Sequence, residues 1–212
     1  MASSTSGSPP MIVSGVGVIP PCDARGMDEF SVDDELMFRI HGAIERCGFF
    51  VMAVGSTPTV PSWAYTIGLL ERGHPELITV GLSAESAHAF LWRAYEDAVK
   101  GVPLEVSRAT RRTWGFNEGV DLPVAFVEVP DLQWQPPSTL LNFLLAYHAA
   151  RGGFRCEPRV AQLVWPDMQG HLPWDDGFDD SLRIYQPLLD ETLWEPTHDD
   201  ATCGPECDRW AG

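Results

Sequence analysis

Trp63-Ala64-Tyr65-Thr66-Ile67-Gly68-Leu69, Glu71-Arg72-Gly73-His74-Pro75 and Leu77-Ile78-Thr79-Val80-Gly81 follow one another almost without a break. The first and last of these are short runs rich in β-branched and aromatic residues. The middle one carries Gly and Pro, which punctuate a chain. Such a pattern reads as two strands reversing through a turn. Neighbouring strands joined this way pair antiparallel.

Working outward, a helix begins near Ser31, with Leu36, Ile40, Ile44 and Cys47 on one face and Gly48 as its stop. Phe49–Val54 is an apolar run suited to a buried strand, and the loop Gly55–Pro61 leads into Trp63. On the other side Ser83 caps a helix over Ala84–Lys100. Pro103–Ser107 and Val124–Val129 read as strands around an Arg-rich connection. Pro136-Pro137-Ser138 opens a helix over Thr139–Arg151, and Val160–Trp165 is a last strand. Strands and helices do not alternate regularly, which argues against a doubly wound parallel sheet. The expected class is α+β, a mostly antiparallel sheet with about three helices packed on one face. The Trp- and Asp-rich segment after Trp165 is irregular. Residues 1–30, rich in Ser, Gly and Pro, read as a flexible leader, 31–190 as one α+β domain, and 191–212 as an acidic, Cys-containing tail.

The 212 residues carry 14 Lys+Arg against 30 Asp+Glu, a formal charge of −16. Residues 166–212 alone hold twelve acids and two Arg, while 37–165 hold twelve acids and eleven bases. A nearly neutral core with acidic ends argues against general nucleic-acid binding, which needs a positive surface. No apolar run approaches the ~18 residues of a membrane span. Five cysteines at irregular spacing make a poor disulfide framework, and no basic, unbroken apolar signal opens the chain. The expected setting is cytoplasmic.

The Tyr65-Thr66-Ile67-Gly68-Leu69 and His74-Pro75-Glu76-Leu77 pair, in that order, is joined by Gln162-Leu163-Val164-Trp165-Pro166-Asp167, with Gly170, Pro173 and Trp174 close behind. Together they resemble the bacterial family named domain of unknown function 4262, over about Ile40 to Gln186. The resemblance implies a family and no reaction, cofactor or ligand.

No phosphate loop, dinucleotide fingerprint or His-Glu-x-x-His is present in the sequence. Gly81-Leu82-Ser83-Ala84-Glu85 lies between strand and helix, as a hydrolase nucleophile does, but Glu85 stands where that turn needs a second Gly. Capping is the expected role of Ser83. The candidate site is a set of polar groups among aromatics: Tyr65, Thr66, His74, Glu76, Trp165, Asp167 and His171. In extended chain His74 and Glu76 share a side, and a carboxylate beside an imidazole orients the ring. Asp167 and His171 flank a turn and offer a second such pair. If the segments converge, His74, Glu76 and Asp167 are catalytic candidates, with His74 as base. Tyr65, Thr66, Trp165 and His171 then bind ligand. Hence two readings stand: a small-molecule or peptide-binding domain, or a hydrolytic enzyme, in one version metal-assisted. Against both stands a structural reading, in which His-Pro-Glu and Asp167 are turn chemistry. No metal-ligand set and no cofactor is assigned. His198, Cys203 and Cys207 lack a clear fourth zinc ligand, and the Asp175-Asp176 and Asp179-Asp180 pairs miss the calcium-loop spacing. Arg108, Arg111 and Arg112 are read as pairing with the chain's own acids or as a surface turn. The sharpest expectation is that His74 and Asp167 line one concave site beside Tyr65, because loops at strand ends gather binding groups.

Overall fold

The computed structural model describes residues 13–14, 34–117, 120–136 and 138–191. Its elements are β1 (Val13–Ser14), α1 (Asp34–Cys47), β2 (Phe50–Val54), β3 (Trp63–Ile67), β4 (Glu76–Val80), α2 (Ala84–Val99), β5 (Ser107–Asn117), β6 (Val120–Glu128), α3 (Asp131–Trp134), α4 (Asn142–Ala150) and β7 (Val160–Val164). The strands form one sheet in the order β1-β2-β3-β4-β7-β6-β5. Among the described strands, only β1–β2 and β4–β7 pair parallel. The α+β class and the mostly antiparallel sheet are therefore as expected.

The helices divide differently. Side chains alternate across a strand, and both sets are buried here. Phe50, Met52, Tyr65, Ile67, Ile78 and Val80 pack with Ile40 and Ile44 of α1 and Leu144 and Tyr147 of α4. Val51, Ala53, Ala64, Leu77 and Leu163 pack with Ala87, Phe90, Leu91 and Ala94 of α2. Helices thus cover both faces rather than one. Strands buried on two sides carry near-continuous apolar runs, which is why β2 and β7 show no alternation from which to count faces.

The Arg-rich connection is itself a strand. Pro103 lacks an N–H for a ladder, and pairing begins at Ser107 instead, with β5 running along β6 through a register shift between Ser107 and Arg112. Arg108 grips Asp190 at 2.7 Å and Glu191 at 2.6 Å, Arg111 pairs with Asp175, and Arg112 reaches Asp97 of α2 at 3.0 Å. All three arginines pair with acids of this chain. Two buried glutamines also hold the irregular C-terminal segment. Gln162 donates to the Pro187 carbonyl (2.9 Å) and accepts from the Leu189 N–H (2.8 Å), and Gln186 exchanges two bonds with the Trp165 backbone. Leu172 and Leu189 are fully buried, whereas Ile184 is 71% exposed.

Of the segment expected to be a leader, only Val13–Ser14 is described, and it lies beside Met52 and Ala53 as an edge strand. The rest of that segment, and His198, Cys203 and Cys207 of the tail, lie outside the described residues.

Candidate functional site

Direction of pairing decides which candidates meet. β4 and β7 run parallel, Glu76 opposite Val160 and Ile78 opposite Gln162. His74 therefore sits where both strands begin, and the Glu76 N–H bonds the Arg159 carbonyl there. Asp167 lies beyond where both end: the Trp165 indole donates to the Val80 carbonyl at 2.8 Å. At ~3.3 Å per residue the two ends are about 20 Å apart. The expectation that His74 and Asp167 line one cleft is corrected. An antiparallel partner would have joined them, and a parallel one cannot.

At the His74 end, the His74 N–H bonds the Leu69 carbonyl within the turn, and Gly73 takes φ 79°, a conformation that favours glycine. Glu76 is fully buried and its carboxylate is fully engaged: Thr66 donates at 2.5 Å, the Gly68 N–H at 2.7 Å and the Leu70 N–H at 3.1 Å. Thr66 in turn accepts from the Leu77 N–H at 2.8 Å. Burial raises the Glu76 pKa, and the Thr66 hydroxyl and loop N–H groups pull it part of the way back. Thr66 and Glu76 thus lock the β3–β4 connection. Tyr65 is buried among Met52, Ile78 and their neighbours, and burial raises its phenol well above the usual range.

At the Asp167 end, one carboxylate oxygen accepts from the Gln169 N–H (2.9 Å) and the His171 N–H (2.8 Å), the other from the Asp179 N–H (3.1 Å). The His171 ring stands 3.4 Å from that second oxygen. The net of these contacts, against desolvation, holds the Asp167 pKa below its usual value. The predicted Asp167–His171 pair exists, and its geometry is that of a loop organiser. Among the described residues no three of His, Cys, Asp and Glu gather as a metal set.

A clear concavity lies elsewhere. It is a cleft of about 270 Å³ between the ends of β2, β3 and β4 and the first turn of α2. Ala53 and Ala64, paired across β2 and β3, leave the space that larger side chains would fill. Trp63, Val54 and Leu82 supply apolar walls, and Ser56, Ser62 and Ser83 supply hydroxyls. Ser62 donates to the Leu82 carbonyl at 2.8 Å, tying β3 to the turn before α2. Ser83 is an ordinary N-cap, accepting from the Ser86 N–H at φ −61°, without the strained backbone of a nucleophile elbow. Sequence reasoning passed over this cleft. Its only trace was a Ser- and Pro-bearing loop followed by two small residues at paired strand positions.

Fold and site define a small α+β domain with a cleft at the ends of β2 and β3. A profile of a domain of unknown function (DUF4262) matches residues 43–179, and the chain belongs to that family. No curated protein and no solved structure matches it. No helix among the described residues is long and apolar enough to cross a membrane.

Proposed function

We propose that the domain binds a small molecule in the cleft beside Ser56, Ser62 and Trp63. The observation that carries this is a concavity of about 270 Å³ with apolar walls and three serines in its lining, the mix of apolar and polar groups that small-ligand sites show. Its size favours a metabolite over a folded peptide segment. The hydrolytic alternative has less support, because His74 has neither Glu76 nor Asp167 free beside it: every Glu76 oxygen serves the turn and Asp167 is at the other end of the sheet. A cytoplasmic setting is part of the same proposal, in keeping with free thiols at Cys47 and Cys156.

The test is a thermal-shift and NMR screen of neutral and anionic metabolites on the wild type and on Ser56→Trp. Ser56 is exposed, so an indole there fills the cleft without touching the core. Ligands that raise the wild-type midpoint by several degrees should leave the variant unmoved. Hits that bind both chains equally would remove the cleft as the site.

A further inference from the structure

A second, smaller cleft of about 20 Å³ opens at the His74 end of the sheet, lined by Leu70, Glu71, His148, Arg151, Arg155 and Cys156 among others. Cys156 is an exposed free thiol. Its nearest bond is a long one, 3.9 Å to the Leu70 carbonyl, which restrains the sulfur weakly. His148 is only 5% exposed, and its Nε2 is buried with no hydrogen-bond partner among the described residues. The ring packs on Phe154 with centroids 4.3 Å apart, which fixes it in the cleft wall. Arg151 is tied to Glu71 at 3.4 Å and to His41 at 3.2 Å. Arg155, next in sequence to the thiol, makes no ion pair among the described residues.

Nucleophilic thiols stand in partly exposed, electropositive surroundings, because a nearby cation favours the thiolate. A buried imidazole held neutral is a proton acceptor. A cavity of this size admits about one water-sized molecule, and hydrogen peroxide is the oxidant nearest to that size.

We propose that Cys156 is a peroxide-reactive thiol, with His148 and Arg155 as its positioning residues. The sulfur attacks one peroxide oxygen and an S–O bond forms as the O–O bond breaks. The departing oxygen carries the electron pair and takes the thiol proton, which His148 Nε2 relays, leaving as water. Cys156 becomes a sulfenic acid: one thiol and one peroxide give one sulfenic acid and one water. The two-electron oxidation of sulfur balances the reduction of peroxide. A small thiol can then condense with the product to a mixed disulfide, releasing a second water.

The full chain is treated with limiting hydrogen peroxide, trapped with dimedone and read by peptide mass spectrometry. Cys156 should be labelled at least tenfold faster than Cys47 in the same molecule, and tenfold faster than Cys156 in urea. His148→Phe, which keeps the ring packing, should slow labelling at least fivefold. Arg155→Gln, an exposed change that leaves the core alone, should slow it at least threefold and carries the test if the first variant folds poorly. Labelling of Cys156 no faster than Cys47, or no faster than in urea, would overturn the proposal. So would rates unchanged in every variant that folds.

Discussion

Glu76 shows how a single buried carboxylate can organise a turn. Its two oxygens satisfy the Thr66 hydroxyl and the Gly68 and Leu70 N–H groups, all of them buried. Leaving a buried donor unpaired costs ~1–3 kcal/mol, so Glu76→Ala should destabilise the fold by about 3 kcal/mol or more. Glu76→Gln keeps an acceptor for both N–H groups and should cost much less. Urea unfolding of the two variants separates this anchoring role from a catalytic one, which predicts similar stability for both. His148 gives a pH test at the same scale. Burial lowers its folded pKa below the ordinary 6.5, so the unfolded chain takes up a proton before the folded one does. Stability from this group is whole above about 6.5 and declines as pH falls toward the lowered folded value. Urea midpoints from pH 8 to 5 should show the decline, and His148→Phe should flatten it.

At the scale of elements, much was legible and one thing decisive was not. Ser83, Gly48 and the β-branched runs at Phe50, Trp63, Ile78 and Val160 announced their helices and strands, because caps, left-handed stops and β-propensity act locally. Direction does not act locally. β7, four apolar residues around Gln162, is buried at every position, so it has no exposed polar face to set its side or register, and nothing within it says whether it runs with β4 or against it. The same gap misled the site: Thr66, Glu76 and Asp167 were rightly singled out as unusual polar residues, yet they serve turns at opposite ends of the sheet. Period-two counting also failed between His74 and Glu76, because the His74 N–H closes back on Leu69 and the residue belongs to the turn. The cleft beside Trp63 depends on small residues at paired positions, Ala53 opposite Ala64, and a sequence does not display pairing.

Over the whole molecule, an open sheet covered on both faces leaves its liabilities at the two edges. β5 carries Arg108, Arg111 and Arg112, charges that discourage pairing with another chain, and their acids fasten the C-terminal segment and α2 alongside. The other edge has no such guard: β2 is Phe50-Val51-Met52-Ala53-Val54, apolar throughout and almost wholly buried. What borders it is Val13–Ser14. The segment expected to be a dispensable leader places two residues, Val13 and Ser14, beside this apolar strand. A backbone hydrogen bond contributes about 0.5–1.5 kcal/mol net, and ~1 kcal/mol moves the midpoint of a domain this size by about 2–4 °C. A chain beginning at Asp28 should therefore melt a few degrees lower yet remain folded. Its larger change should be in solution behaviour, with dimers or higher species appearing on size exclusion as concentration rises, and amides of β2 exchanging faster while those of β4 and β7 do not. A shortened chain that stays monomeric and melts with the full-length protein would mean that β1 contributes nothing to guarding that edge.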